Sequence, residues 1–349
     1  MTEPLVSVKM ITYNHAPYIA QAIEGVLQQK TNFPIELVIG EDYSTDGTRE
    51  IVFKYQEKYP DIIRVITSDK NVGMRKNGYR TMKACRGKYI AFCEGDDYWH
   101  HPDKLQKQVD YMEKHPECGM VFSDYDVYFS GSNELIRSCN YYKGFRSPTN
   151  FTIEPFIGGD HPREITCTIM VRRDLCEQVV EKDPYLHQSE TFLMGDIQTW
   201  AEISLISEIS YLPESLATYR VLDESASRSK DKRKIFRFWK SDAEMRLYLC
   251  DKHQLSENIR KKIELDWFDR SLRLAFHERN ASLADEVRSK KKTFTWEEWI
   301  RYYGARNLAF HYVYRVAAIF RNLFREKDNE LAREFGDAPR ESCHSQLIR

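Results

Sequence analysis

Apolar residues in the first third of the chain fall into short β-branched runs, separated by stretches in which they recur at helical spacing. Leu5 to Ile11, Ile35 to Ile39, Ile62 to Thr67, Tyr89 to Cys93 and Met120 to Ser123 read as buried strands. Between the first two, Ile19, Ala22, Ile23, Val26 and Leu27 mark a helix, for which Asn14 is the expected cap. Thr45 to Tyr59, with Ile51, Val52 and Tyr55 inward, Lys76 to Cys85 and Lys104 to Lys114 are further helices. Continuous apolar strands alternating with helices predict an α/β fold, with a mostly parallel, Rossmann-like sheet covered by helices on both faces. In such sheets ligands bind beyond the carboxyl ends of the strands, so the residues that follow each strand are the ones to inspect.

Further along, the rhythm changes. From Tyr125 to Pro162 clusters of Ser, Gly, Asn and Pro predict a long excursion over the active face. Ile165 to Val171 and Leu205 to Tyr211 read as further strands, with a helix beginning near Gly195 between them. Beyond Lys230 the chain turns to long, charged, aromatic-rich helices, Lys234 to Lys252 and Ser256 to Arg279. The expected organisation is a ligand-binding domain over 1–228 and a C-terminal helical extension over 229–349.

Composition narrows the classes. A chain of 349 residues, 42% hydrophobic and 30% charged, suits a globular protein larger than one ordinary core. Its formal charge of −1 gives no overall field for nucleic acid. Eight cysteines are spread out without a CxxC pair, several within apolar runs, as expected of buried thiols in a reducing compartment. The opening MTEPLVSVKM has no basic segment followed by an apolar one, and no apolar run nears the roughly 20 residues that span a bilayer, so a cytoplasmic protein is expected. A dinucleotide-binding dehydrogenase needs GxGxxG after the first strand, and a nucleotidyltransferase a Gly-rich basic loop; Thr12-Tyr13-Asn14-His15 is neither.

Three strand ends carry polar or acidic clusters: Thr12-Tyr13-Asn14-His15, then Glu41-Asp42-Tyr43-Ser44-Thr45-Asp46-Gly47-Thr48, then Glu94-Gly95-Asp96-Asp97-Tyr98-Trp99. Adjacent carboxylates repel, and burying them uncompensated costs several kcal/mol. A divalent cation would neutralise Glu94, Asp96 and Asp97, and hard oxygen ligands suit Mg²⁺ or Mn²⁺. The competing account is a solvated acidic loop that caps the helix after Pro102. Asp42 has two readings as well, a hydrogen-bond acceptor for a nucleobase or ribose and a helix cap, a role that Ser44 or Asp46 could fill without it. Tyr13 could stack on a base or close the edge of the core, and Asn71-Val72-Gly73 forms a crevice loop or a plain turn.

In combination, Val6 to Asn14, Glu41 to Thr48, Asn71 to Gly73 and Glu94 to Trp99 resemble the family 2 glycosyltransferases, inverting enzymes of GT-A fold found in bacterial polysaccharide assembly. The likeness spans roughly residues 4 to 222. It implies a nucleotide-sugar donor, with UDP the expected nucleotide, and a glycan or lipid-linked acceptor. Thr12, Tyr13, Asn14, Asp42, Asn71, Glu94, Asp96 and Arg220 then lie around the nucleotide sugar, with Tyr13 and Asp42 at the base. Asp96 and Asp97 take the DXD-like position at a Mn²⁺ or Mg²⁺ ion that bridges the diphosphate; Glu94 stands where many relatives have the first Asp. The family's general base begins a downstream helix, and the matching stretch Met194-Gly195-Asp196-Ile197 makes Asp196 the candidate, with helix capping as its other role. After Tyr219-Arg220 relatives often carry a histidine two residues on; here Leu222 stands there, which leaves Arg220 alone as the expected phosphate contact. His161 and His187 lie near the expected acceptor side without an assigned role. The rival function is a sugar-nucleotide-binding protein without turnover, which the acidic set at 42, 96, 97 and 196 argues against.

From Arg301 to Arg325 there are five arginines and no acid. On a helical wheel Tyr312, Val316, Ile319, Phe320 and Leu323 share one face, opposite Arg315, Arg321 and Arg325. The segment reads either as a helix lying on anionic lipid at the inner face of the plasma membrane or as one packed on the protein with a solvated basic side.

Overall fold

Val6, Val8 and Met10, alternate residues of the first strand, are fully buried, and this strand (β1, Val6–Thr12) runs inside a nine-stranded sheet. The computed structural model describes residues 3–142, 151–158, 164–222, 229 and 231–315. The later strands are β2 (Ile35–Glu41), β3 (Ile63–Ile66), β4 (Tyr89–Phe92), β5 (Tyr98–Trp99), β6 (Cys118–Phe129), β7 (Glu134–Ile136), β8 (Met170–Arg172) and β9 (Glu208–Val221). They are ordered β3-β2-β1-β4-β8-β6-β9-β5, with β7 paired on β6. β3, β2, β1 and β4 are parallel to one another, as are β6 and β9, while β8 runs antiparallel between β4 and β6, and β5 and β7 pair antiparallel with β9 and β6. The sheet is therefore mixed and mostly parallel.

Among the helices are α1 (Ile19–Leu27), α2 (Thr48–Lys58), α3 (Met74–Ala84), α4 (Lys104–Lys114), α5 (Cys139–Tyr142), α6 (Ile153–Gly158), α7 (Arg173–Lys182), α8 (Pro184–His187) and α9 (Ile197–Ile203). They are followed by α10 (Lys232–His253), α11 (Glu257–Glu278), α12 (Ala281–Lys290) and α13 (Trp296–Arg306). The described cysteines are all buried thiols, as their apolar settings imply. The chain divides into two compact units, residues 1–225 with 244–259, and residues 226–243 with 260–349. No helix among the described residues is long and apolar enough to cross a membrane.

Several local expectations need correction. Asn14 does not cap α1: the helix starts after Tyr18 without a side-chain cap, and Asn14 takes a left-handed turn (φ 55°) while its side chain accepts the Thr45 N–H at 2.9 Å. The strand expected over Met120–Ser123 extends to Phe129, so Tyr125 to Phe129, read as the start of an excursion, is sheet. Buried Asp124 and Asp126 break its apolar run, but Asp124 accepts the Tyr125 and Asn140 amides and Asp126 the Ser215 hydroxyl. β9 likewise outruns the predicted Leu205–Tyr211, crossing a bulge near Pro213, where a residue without an N–H costs no ladder bond. Thr166–Thr168 is a 3₁₀ turn, so the expected strand over Ile165 to Val171 shrinks to β8. The basic helix expected over 301–325 ends at Arg306 with Asn307 extended, residues 308–315 form another helical stretch, and the remainder lies outside the described residues, as does His161.

Candidate active site

The carboxyl end of β1 is a short polar ladder. The Asn14 N–H donates to Ser44 Oγ at 3.0 Å, that of His15 to Thr48 Oγ1 at 2.8 Å, and that of Ala16 to Asp46 at 2.9 Å. Asp46 also accepts from the Thr48 amide and hydroxyl. Burial acts to raise the Asp46 pKa, but these bonds outweigh it and hold the carboxyl below its ordinary value. The ends of β1 and β2 are thereby locked together, which leaves Tyr13 and Tyr43 about half exposed at the rim.

Asp42, at the end of β2, is almost wholly buried. Its Oδ1 accepts the Val72 N–H at 2.8 Å and its Oδ2 the Gly73 N–H at 2.9 Å, while Arg80 stands 3.7 Å away. Asn71 closes the same loop by donating to the Asp42 carbonyl at 3.1 Å and accepting from Gly73. Gly73 adopts φ +86°, which a side chain would resist. Asp42 therefore builds the Asn71–Gly73 loop into the crevice wall, and α3 starts directly from it.

The acidic loop after β4 lies against β1. A Cβ on Gly95 would fall 2.7 Å from Thr12 Oγ1 and 2.8 Å from Thr12 Cβ, so only glycine permits this approach. Thr12 is within 3.3 Å of His15 Nδ1, and His15 Nε2 is 3.9 Å from Asp96. Glu94 Oε2 is buried without a hydrogen-bond partner. Burial above all pushes the Glu94 carboxyl up to about 7; Lys9 opposes this, while Asp96 and Asp196 add repulsion. Asp97 turns inward, 4% exposed, and accepts the Arg220 N–H at 2.8 Å. Its pKa too is driven well above the carboxylate range, by burial first and by Asp96 and Glu94 next. Asp96 keeps a side chain 21% exposed.

Asp196 caps α9, accepting the Ile197 N–H at 2.8 Å and the Thr166 hydroxyl at 3.1 Å. Its charge is felt both at Glu94 and at Arg75, so it belongs to the same electrostatic neighbourhood as the acidic loop. Arg220, on β9, is held by more than charge: Nε donates to the Asp96 carbonyl at 2.7 Å and Nη2 to Gln21 at 2.6 Å. The rings of Tyr18, Tyr98 and Tyr128 surround the guanidinium at 4.9 to 5.3 Å. Besides any ligand role, it bolts the acidic loop to β9 and α1.

The structure thus gathers Thr12, Asp42, Asn71, Glu94, Asp96, Asp97, Asp196 and Arg220 around the strand ends of one unit, with Tyr13 and Asn14 on the β1 turn. Sequence reasoning missed His15 and Arg75. His15 stood inside the first motif, whereas nothing local marks Arg75, whose partners lie more than a hundred residues away. His187 is structural, bonded at 2.8 Å to buried Glu202. Among the described residues no three His, Cys, Asp or Glu side chains form a ready-made metal cage. The donor set nevertheless suits a hard divalent cation: the carboxylates are crowded, one has an orphaned oxygen, and Mg²⁺ sites commonly combine one or two carboxylates with phosphate oxygens and water.

Comparison with known proteins agrees with this geometry. The family model described as Glycosyl transferase family 2 matches residues 7–180. An uncharacterised protein of Mycobacterium tuberculosis is 32% identical over 220 residues, 61% of this chain, and the chain spans 58% of that relative's length. The putative teichuronic acid biosynthesis glycosyltransferase TuaG of Bacillus subtilis is 30% identical over 230 residues, 65% of this chain and 83% of TuaG. In fold, the chain is similar to Staphylococcus aureus TarS 1–349 in complex with UDP-GlcNAc (TM-score 0.54, 20% identity, covering 86% of this chain and 79% of TarS 1–349). The mannosyltransferase PcManGT of Pyrobaculum calidifontis, in complex with GDP-Man and Mn²⁺, has the same TM-score at 15% identity, with 90% and 87% covered. The architecture is GT-A, and with most of TuaG matched by the sequence, the chain belongs to glycosyl transferase family 2.

Proposed function

We propose that the chain is an inverting, metal-dependent glycosyltransferase that moves a sugar from a nucleotide diphosphate, UDP being the favoured nucleotide, to an acceptor hydroxyl in glycan or cell-surface polysaccharide assembly. The observation that carries this reading is the meeting of Glu94, Asp96 and Asp196 in one electrostatic neighbourhood beside the loop that Asp42 holds. TuaG, by its name, supports polysaccharide assembly; the ligand of TarS supports UDP, and that of PcManGT a cation.

The residues divide the work by position. Tyr13, Asn14, Asp42 and Asn71 line the nucleobase end, with Thr12, Glu94, Asp96 and Arg220 toward the ribose and diphosphate. Asp96 and Asp97 would hold Mn²⁺ or Mg²⁺, with Asp96 the more accessible of the two and Glu94 beside it. A bound cation supplies positive charge against the negative charge that develops on the leaving diphosphate. Asp196 accepts the proton of the acceptor hydroxyl as its oxygen bonds to the anomeric carbon and the bond to the diphosphate breaks. Attack from the face opposite the leaving group inverts the centre. We assign these roles to a domain over 1–228; in the C-terminal region, residues 301–325 either pack on the protein with a solvated basic side or make peripheral contact with the cytoplasmic face of the membrane, near a lipid-linked acceptor.

A release assay across UDP-, GDP- and dTDP-sugars with Mn²⁺ or Mg²⁺ tests the proposal. Asp97→Ala should abolish cation-dependent nucleotide binding, and Asp196→Asn should keep binding and lose transfer by about 100-fold or more. Transfer by Asp196→Asn at the parental rate overturns the base assignment; nucleotide binding without turnover in the parent supports the sugar-nucleotide-binding alternative.

A further inference from the structure

Arg75 sits in the first turn of α3, two residues after Gly73. The amides of Val72 and Gly73 are tied to Asp42 on one side. On the other, the Arg75 guanidinium crosses to a distant part of the chain, donating through Nη1 to the Met194 carbonyl and through Nη2 to the Leu186 carbonyl at 2.9 Å. Those carbonyls belong to the stretch that leads into Asp196. Met194 is two residues before it, and Leu186 lies in α8, whose own cap is Asp183.

We propose that Arg75 is a positioning residue that couples nucleotide binding to placement of the base, because one rigid fork joins the Asn71–Gly73 loop to the backbone that carries Asp196. The inference rests on the reading of Asp196 as the base and of the Asn71–Gly73 loop as part of the donor site.

Two features favour this over a generic packing role. The first is expense. Arg75 Nε is buried without a partner, and burial works against the charged guanidinium, with the Asp196 carboxylate as the charge that offsets it. A side chain needed only to fill space between α3 and the 186–196 segment would do so at less cost as an apolar residue. The second is geometry. A planar guanidinium with two carbonyls on its terminal nitrogens fixes direction as well as distance, which a lysine cannot reproduce. A nucleotide that presses on the Asn71–Gly73 loop therefore moves, or immobilises, the first turn of α3. Through Arg75 the same constraint reaches Met194 and the cap of α9. Misplacing a catalytic group by about 1 Å costs on the order of 100-fold in rate, so loss of the fork belongs in turnover and not in nucleotide affinity.

The test uses the full chain with UDP and Mn²⁺ as probe, followed by amide hydrogen exchange. In the parent, UDP should slow exchange in peptides covering 71–75 and also in those covering 186–197. In Arg75→Met the first effect should remain and the second disappear, with UDP affinity within about threefold of the parent. Sugar-nucleotide turnover should fall by about tenfold or more, at unchanged KM for the donor. Arg75→Lys, which keeps the charge and lacks the fork, should behave like Arg75→Met, and it decides the matter if the Met variant melts early. Asp196→Asn should keep UDP-dependent protection at 186–197 while losing transfer. If either Arg75 variant retains that protection and turns over at the parental rate, Arg75 is no positioning residue. If UDP protects neither segment in the parent, the reading of the donor site fails and takes the coupling with it.

Discussion

Glu94 keeps one carboxylate oxygen buried and unpartnered beside two aspartates, an arrangement that costs stability whenever it is ionised. Its folded pKa is about 7, against an ordinary 4.5. The neutral form is therefore favoured by folding, and the cost of the charged form is absent below 4.5 and complete above 7. The gap corresponds to roughly 3 kcal/mol at most. Glu94→Gln should thus melt higher than the parent at pH 8 in EDTA, by several degrees at roughly 2–4 °C per kcal/mol, and lose the advantage near pH 5. Its Mn²⁺-dependent affinity for UDP should fall at the same time. A Gln variant that melts below the parent at pH 8 would show that the oxygen is not a source of strain. The acidic loop itself was legible from sequence, since three carboxylates crowded directly after a buried apolar strand call for a positive charge among them. The partners of its residues were not: the bonds to Asp97 and Asp96 come from Arg220, far along the chain, and no local pattern encodes them.

At the scale of elements, α9 is fixed at both ends. Asp196 caps its start, and Glu202 near its end accepts from His187 at 2.8 Å, Lys252 at 2.6 Å and His253 at 2.9 Å. Burial acts to raise the Glu202 pKa, yet the bonds from His187 and Lys252 overcome it and hold the carboxyl down to about 2. A depressed carboxylate contributes stability above its unfolded pKa and loses it as the pH falls through the folded value. The window runs from 4.5 down to about 2, and the contribution is roughly 3 kcal/mol. Chemical denaturation across that range should show the parent weakening with acid. Glu202→Gln should be less stable by a comparable amount at pH 7 and nearly flat over the same window. Equal acid sensitivity in the two would remove Glu202 as the cause. The parallel half of the sheet was readable because β1, β2 and β4 are short, mainly apolar segments set between stretches of helical spacing. The second half was read only in its starting segments, because β6 and β9 bury Ser123, Asp124, Asp126 and Thr218 inside strands, where polar residues ordinarily signal a loop. Asn14 misled for a related reason: cap residues also favour left-handed turns, and the long-range bond with Thr45 settled which role it took.

For the whole molecule, a formal charge of −1 conceals an uneven surface. In the C-terminal unit Trp296 is 76% exposed, Tyr312 58% and Val313 70%, although Arg301 and Arg306 are already engaged by Asp269 and Asp285. If this region makes the proposed membrane contact, apolar insertion there contributes more than basic charge. Tyr312→Glu with Val313→Glu should then cut retention on phosphatidylglycerol vesicles by about tenfold in a flotation assay, and leave UDP binding unchanged. Parental retention by the double variant would place the contact elsewhere. The three-ring cage around Arg220 has a consequence for how the molecule matures. The acidic loop emerges early in synthesis, but the N–H that secures Asp97 belongs to a residue 123 positions later. Closing a contact of such long range is slow, and the earlier partner of the Asp97 carboxyl, the Cys167 thiol, is a weak donor. The carboxylates are therefore among the last parts of this sheet to find their places, and a nascent or shortened chain ending before β9 holds every acidic motif without the arginine that arranges them.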